Sequence, residues 1–104
     1  MNKQLKTKWL KALRSGEYDQ GVGHYVTAGN KYDSFCCLGV LCDIQDAVWD
    51  MNGYNNSCVI DGKTLVGNDP VLSGPSWLEQ HHLAVMNDTG DSFKKIAKYI
   101  ERHL

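Results

Sequence analysis

The sequence has no long apolar run. Five basic residues lie within the first 14 positions, and no hydrophobic stretch follows them, so we expect neither a signal peptide nor a membrane anchor. It also has no internal repeat, linker or low-complexity tract. Its 104 residues are enough for one buried core and too few for two ordinary domains. We therefore predict one cytoplasmic domain spanning residues 1–104.

The cysteines show no disulfide or metal-binding pattern. Without an export signal we expect reduced thiols. A zinc site needs converging ligands, typically in pairs about two to four residues apart, but Cys37 and Cys42 point well apart on a helix and Cys58 lies on a predicted strand without a nearby partner. Adjacent His81 and His82 also diverge. We therefore predict no metal and no cofactor, with buried thiols as the leading interpretation.

Charge is distributed unevenly along the chain, although the net charge is only -1. Residues 1–14 contain no acidic residue. Residues 92–104 contain four basic residues and one acidic residue. Residues 15–91 contain eleven acidic residues and two lysines. We favour an arrangement in which the basic terminal segments lie against the acidic middle, while the alternative is a positive face presented to an acidic partner.

Both terminal segments are predicted to be amphipathic helices. Residues 2–14 place Leu5, Trp9 and Leu13 at helical spacing, and Ser15-Gly16 is a stop signal. Asp91 or Ser92 can cap the last helix. Its predicted buried positions are Phe93, Ile96, Ala97, Ile100 and Leu104. Its predicted exposed positions are Lys94, Lys98 and Arg102.

A central helix is predicted from Cys36 onwards, and residues 77–86 are predicted to form another helix. The apolar positions of the central helix are Cys37, Leu41, Ile44 and Val48. Its first two turns are apolar on nearly every side, which predicts burial, and Gly39 suits close approach by another backbone. Its opposite face is predicted to carry Asp43, Asp46 and Asp50.

Two β-hairpins complete the predicted fold. Gly29-Asn30 separates residues 23–28 from 31–36, and Asp61-Gly62 separates residues 57–60 from 63–66; both dipeptides suit tight hairpin turns. The predicted fold is α+β, with helices at both ends, a buried central helix and two hairpins. Trp9, Trp49 and Trp77 are predicted core anchors, although exposed tryptophans would mark a protein-binding patch.

Cys36 and Cys37 are candidate nucleophiles, because a helix start can lower a thiol pKa. The candidate bases are His24, His81, His82 and His103. Asn87 or Asp88 would orient the base. The apolar neighbours of the thiols favour inert buried cysteines over this cysteine-dependent hydrolase or transferase.

Residues 83–100 resemble the opening of a helix-turn-helix motif, but no recognition helix follows them. Lys94, Lys98 and Arg102 could contact phosphates, whereas the last helix has no Asn, Gln or Ser on its outer face for reading bases. A plain αα-hairpin that closes the core is the favoured interpretation.

Three blocks carry a resemblance to a known family. They are W-L-K-A-L-R-S-G-E-Y-D-Q at residues 9–20, F-C-C-L-G-V-L-C-D at 35–43 and M-N-D-T-G-D-S-F-K-K-I-A at 86–97. The chain resembles small uncharacterised proteins encoded mostly by tailed bacteriophages and prophages. The resemblance implies a phage accessory protein in a bacterial cytoplasm, and it implies no residue roles.

The leading functional hypothesis is a non-enzymatic phage protein that docks on a host factor, such as a defence protein, and inhibits or redirects it. Its candidate partner-binding residues are Asp43, Asp46 and Asp50, whose acidic surface could imitate nucleic acid. The alternatives are the cysteine-dependent enzyme and a protein that binds nucleic acid or a small nucleotide.

Overall fold

The computed structural model describes residues 1–27, 29, 32–49, 58–65 and 74–104. The helices are α1 (Lys3–Ser15), α2 (Cys37–Asp43), α3 (Trp77–Asp88) and α4 (Phe93–His103). The strands are β1 (Asp19–Gln20), β2 (Val26–Thr27), β3 (Ser34–Phe35), β4 (Val48–Trp49), β5 (Cys58–Ile60) and β6 (Lys63–Leu65). They form two three-stranded sheets, β1-β3-β2 and β4-β5-β6. The predicted α+β class is confirmed.

The helices α1 and α4 form as predicted and pack against each other. Asn2 caps α1 by accepting a 2.9 Å hydrogen bond from the Leu5 amide, and Gly16 ends it at φ 78°. The side chain of Ser92 caps α4. The residues Phe93, Ile96, Ala97 and Ile100 of α4 are buried. The apolar stripes predicted for the two helices therefore form one side of the core.

Two basic side chains of α1, Lys6 and Arg14, make polar contacts with α4. Arg14 forms a 3.0 Å ion pair with Glu101, and the Lys6 ammonium donates to the Glu101 carbonyl. Within the described residues, one ion pair joins a terminal segment to residues 15–91, and it is formed by Lys95 and Asp91. The helix α1 also packs against α2, and Lys8 lines a groove together with Asp46 and Asp61, so the arrangement favoured from charge stays a prediction.

The central helix is shorter than predicted. It ends at Asp43, and residues 44–46 form a turn in which Asp46 adopts φ 59°. This left-handed conformation, which Asp tolerates better than most residues, stops the helix. Val48 then lies on β4, where it pairs with Val59. The predicted helical face is therefore wrong for Asp46, which follows the helix; Asp50, the third residue predicted there, lies outside the described residues.

The helix α2 is enclosed on nearly every side, as predicted. All of its residues except Asp43 are buried. A Cβ atom added at Gly39 would overlap the carbonyl oxygen of Tyr25, which confirms the close backbone approach expected there. The Cys36 amide also donates a 3.1 Å hydrogen bond to that oxygen. The segment before β2 is thus held directly against the first turn of α2.

The second hairpin forms as predicted, with β5 and β6 antiparallel around Asp61 at φ 49° and Gly62 at φ 77°. The first hairpin pairs β2 with β3, although residues 28, 30 and 31 of its turn lie outside the described residues. Strand β1 pairs in parallel with β3, an arrangement that the sequence did not indicate.

The helix α3 begins at a Ser76–Glu79 capping box and extends two residues beyond its predicted end.

Candidate ligand pocket

A cavity of about 290 Å³ lies between α3, the start of α2 and the segment before β2. Such a volume is at the lower end of the range for small-molecule sites. Its described lining residues are Gly23, His24, Tyr25, Cys36, Leu38, Trp77, Gln80, His81, Ala84 and Asp88. Half of them belong to α3, so this helix forms one wall of the pocket.

The pocket wall follows one side of α3. Trp77, Gln80, Ala84 and Asp88 recur at spacings of three and four residues, which places them on the same helical face. The methyl group of Ala84 occupies little volume in the middle of this wall. The capping box of Ser76 and Glu79 satisfies backbone groups at the end of α3 nearest the pocket rim. The local sequence therefore determines where α3 begins and which side of this helix faces the pocket.

Gln80 carries an unsatisfied hydrogen-bond acceptor within the pocket wall. Its side chain is only 3% exposed, and its Nε2 donates a 3.2 Å hydrogen bond to the Pro75 carbonyl. Its Oε1 is buried and has no hydrogen-bond partner in the described structure. A buried polar atom left in this state costs about 1–3 kcal/mol. A hydrogen-bond donor in the pocket would reach Oε1 only after rotation of the Gln80 side chain, because this atom has less than 1 Å² of accessible surface.

Trp77 lies at the pocket rim, and its prediction as a core anchor is wrong. Its side chain is 54% exposed, and its ring is nearly parallel to that of His81, with an interplanar angle of 11° and centroids 5.8 Å apart. This i,i+4 pair presents an aromatic surface beside the cavity. In contrast, Trp9 is fully buried and Trp49 is half-buried.

Asn87 connects the pocket wall to the rest of the fold. Its Oδ1 accepts hydrogen bonds from Gln20 Nε2 at 3.0 Å and from the Cys37 amide at 3.2 Å. Its Nδ2 donates to the Gly21 carbonyl at 2.8 Å and to Asp88 Oδ1 at 3.2 Å. Its side chain is fully buried. This network fixes α3 relative to α2 and β1, and it orients the Asp88 carboxylate at the pocket.

The pocket brings together four of the residues considered for cysteine chemistry: Cys36, His24, His81 and Asp88. The Cys36 sulfur caps α2 by accepting a 3.4 Å hydrogen bond from the Gly39 amide. Burial raises the pKa of Cys36 to about 11, although that hydrogen bond opposes the shift. The thiol is therefore neutral at pH 7. The rings of His82 and His103 pack against Tyr99 in tilted pairs, and neither residue lines the pocket.

The other three cysteines are buried free thiols, which confirms their predicted burial. Burial raises the pKa of Cys37, whose sulfur donates to the Leu83 carbonyl. The thiols of Cys42 and Cys58 hydrogen-bond to each other, and this bond together with burial raises the pKa of Cys42. Within the part of the chain that the structure describes, no three His, Cys, Asp or Glu side chains are grouped to hold a metal ion.

The residues predicted to bind a partner are not brought together in this region. Asp43 is half-buried, and its carboxylate accepts a 2.6 Å hydrogen bond from the Tyr18 hydroxyl and a 3.1 Å bond from Trp49 Nε1. Burial and this bond to Asp43 raise the pKa of Tyr18. Asp46 is exposed in the turn after α2. Asp43 thus stabilises the fold from within, and the role of these acidic residues in binding stays a prediction.

The α3–α4 pair forms the predicted αα-hairpin, with Lys94, Lys98 and Arg102 exposed. Contact of these basic residues with nucleic acid stays a prediction.

Within the described residues, no helix has the length and apolar character needed to cross a bilayer.

Comparison with protein families places the whole chain, residues 1–104, within a family described as a domain of unknown function, DUF8296. The chain belongs to this family. No curated protein matches the chain, and no solved structure does. Membership of the DUF8296 family assigns no activity, so the site must be interpreted from its own chemistry.

Gln80 is the site residue that sequence reasoning missed. The available signal was its position three residues after Trp77 and four before Ala84, on the inner side of a predicted helix. Cys36, His24, His81 and Asp88 were singled out from the sequence as possible reacting groups, and the structure shows that they line one cavity.

Proposed function

We propose that this protein is a non-enzymatic binding protein whose pocket holds a small molecule. The unsatisfied Oε1 of Gln80 in the pocket wall is the observation that carries the proposal. Native proteins pair nearly all of their buried polar atoms. A ligand donor would complete the pairing once rotation of the Gln80 side chain turns Oε1 into the cavity, and the surrounding wall would supply apolar and aromatic contacts.

The state of Cys36 favours binding over catalysis. A cysteine nucleophile acts as the thiolate, whereas burial keeps the Cys36 thiol protonated at neutral pH. Its sulfur also caps α2, so it has a structural role at the base of the pocket. The cysteine-dependent enzyme therefore has less physical support than ligand binding.

Native mass spectrometry tests the proposal. The protein would be purified, incubated with a small-molecule extract of bacterial cells, and weighed under native and denaturing conditions. We expect a mass increment in the native spectrum only. The Gln80→Met variant has a side chain of similar volume without the acceptor. We expect this variant to show no mass increment.

Gln45→Met is the matched control, because Gln45 lies outside the pocket lining and bonds to the Leu41 carbonyl. It should keep the increment. Absence of any increment, together with unchanged NMR signals of the Gln80 side-chain amide in the extract, would refute ligand binding.

Docking on a host protein is the second candidate. It is favoured by the outward side of α3, where Leu78 and Val85 are exposed apolar residues seven positions apart. Exposed apolar side chains that cluster on one helix are typical of protein-binding surfaces. The phage accessory role and the bacterial cytoplasm belong to this proposal.

A pull-down from host lysate with the wild-type protein and Leu78→Glu tests docking separately, since Leu78 does not line the pocket. A single host protein captured in stoichiometric amount and lost with Leu78→Glu would support it. Equal capture by both proteins would count against docking through α3.

A further inference from the structure

We propose that the outer sides of α1 and α4, together with three aromatic rings at the contact of α3 with α4, form a binding surface for single-stranded nucleic acid. This surface is separate from the pocket, because Lys98, Tyr99 and Arg102 do not line that cavity. The proposal therefore goes beyond the binding of a small molecule and is tested independently of it. It is supported by the positive charge of the surface and by the rings beside that charge.

The pair of α1 and α4 carries a large excess of positive charge. The two helices pack against each other and contain five and four basic residues respectively, with Glu101 as their single acidic residue. Arg14 pairs with Glu101 across the contact and neutralises that carboxylate. Lys94, Lys98 and Arg102 are exposed and form no ion pair within the described residues. A surface with this excess of cations attracts a polyanion.

The cations of α4 follow one line along the helix. Lys94, Lys98 and Arg102 recur at intervals of four residues, so they lie in one row on the helix surface. Successive members of the row are about 6 Å apart along the axis. Arg14 of α1 lies beside the row, because its ion-pair partner Glu101 directly precedes Arg102. An extended polyanionic chain placed along this row therefore meets several cations at once.

Three aromatic rings lie beside the cation row. Tyr99 is four residues after Lys95 and three before Arg102, so it neighbours both on the helix surface. Its ring packs against those of His82 and His103, with centroid distances of 4.8 Å and 4.4 Å. Both histidines are exposed, and Tyr99 is half-buried. The rings are therefore accessible next to positive charges, which is the combination that binds single-stranded nucleic acids.

A single strand fits these features better than a duplex does. Unpaired bases can stack on exposed rings, whereas the bases of a duplex are stacked on each other and present only their edges to a protein. The helix α4 has no Asn, Gln or Ser to read those edges. Because stacking and phosphate contacts do not distinguish sequences, we expect binding that depends little on base sequence.

Fluorescence anisotropy of labelled oligonucleotides tests the proposal. The probes are an oligothymidylate of about 20 nucleotides, which exceeds the reach of one small domain, and a duplex of the same length. We expect the single strand to bind at least tenfold more tightly than the duplex, although the duplex carries more charge. The logarithm of its affinity should fall with the logarithm of the salt concentration with a slope of about −2, which corresponds to about three phosphate contacts.

A pair of charge reversals locates the phosphate contacts. Lys98→Glu should weaken binding of the oligothymidylate at least tenfold. Lys8→Glu is the matched control, because it changes the net charge equally. Lys8 lines a groove with Asp46 and Asp61, and no residue of α4 belongs to that groove. The control should therefore weaken binding less than threefold, since salt screens charges that lie further away.

A second set of variants locates the stacking contacts. His82→Ala should weaken binding at least tenfold with an unchanged salt slope, because it removes a ring and leaves the cations of α4 in place. His82→Phe, which keeps an aromatic ring, should restore binding. His81→Ala is the control and should bind as the wild type does, since His81 is exposed on the same helix but its ring pairs with Trp77.

The outcomes are distinct for the two parts of the proposal. Binding of the duplex as tight as that of the single strand, or unchanged affinity of a folded His82→Ala protein, would overturn the preference for a single strand. No binding of either probe at low salt, or equal losses in Lys98→Glu and Lys8→Glu, would refute the surface itself. Circular dichroism establishes that each variant is folded. None of these results alters the test of the pocket by native mass spectrometry.

Discussion

The indole Nε1 of Trp9 donates a 2.9 Å hydrogen bond to the carbonyl oxygen of Cys37 inside the core. Trp9 belongs to α1 and is fully buried, while Cys37 is the first residue of α2. The bond therefore fixes α1 against the turn of α2 that carries Cys36 and Leu38, two lining residues of the pocket. In this way a residue outside the pocket holds its base in place.

Replacing Trp9 by phenylalanine should destabilise the protein by about 2 kcal/mol, because the buried hydrogen bond is lost and a cavity forms. Urea unfolding followed by circular dichroism measures the change. Trp77→Phe is the control and should alter stability by less than about 0.5 kcal/mol, since its side chain is largely exposed. Equal effects of the two substitutions would contradict the assigned role of Trp9.

Gly39→Ala should cost about 3 kcal/mol or more, because the added methyl group would overlap the Tyr25 carbonyl oxygen and force two backbones apart. Gly16→Ala provides the comparison. Gly16 has φ 78° but no neighbouring atom within 4 Å of the added Cβ, so only backbone strain of about 1–2 kcal/mol applies. Thermal and urea unfolding of both variants would measure the difference, and a Gly39→Ala protein as stable as wild type would disprove the close approach.

Asn87→Ala should destabilise the protein by about 3 kcal/mol, because it leaves several buried donors and acceptors unpaired. Asn2→Ala, which removes only the cap of α1, should cost about 1 kcal/mol. Chemical unfolding gives both values. The Asn87 variant should also lose ligand binding in the pocket, whereas the Asn2 variant should keep it.

Stability should fall as the pH rises above 9. The pKa of Cys36 increases from its ordinary value of 9.0 to about 11 in the folded protein. Between these values the unfolded chain loses the proton and the folded chain keeps it, so this thiol lowers the free energy of unfolding by about 1.4 kcal/mol per pH unit. Its contribution is fully present below pH 9 and is lost as the pH rises to 11.

Cys36→Ser tests this pH dependence, because serine keeps a capping oxygen for α2 and does not titrate in this range. Urea unfolding across pH 8–11 should show a shallower decline for the variant. Labelling of the native protein with a thiol reagent at pH 7 should be slow at all four cysteines. Rapid labelling of Cys36 would contradict the raised pKa and favour the cysteine-dependent enzyme.

The features predicted correctly are those in which local signals agree. In α1 and α4, apolar periodicity agrees with the stop signal at Gly16 and with the cap at Ser92. At Asp61-Gly62 the turn dipeptide lies between two strand-like segments. The sequence predicts too long an α2, because Ile44 and Val48 continue its apolar spacing, although Val48 belongs to a two-residue strand. Periodicity cannot identify so short a strand.

The pocket depended on long-range packing and was less predictable. Pairing of β1 with β3, and approach of the Tyr25 backbone to Gly39, place the segment of residues 23–25 against α2. In this arrangement, opposite the inner face of α3, Gln80 Oε1 is buried without a hydrogen-bond partner among the described residues. Residue types in the sequence show which side chains can react, but they do not show which polar atom the fold leaves unpaired.

The packing of α1 against α4 also bears on how the protein is made. Trp9 and Leu13 come from one end of the sequence, and Ile96 and Ile100 come from the other, yet all four belong to the same core. During synthesis on the ribosome, α1 emerges long before the helix that covers it. The core therefore cannot close until α4 has been translated, and in the meantime the apolar stripe of α1 is open to chaperones.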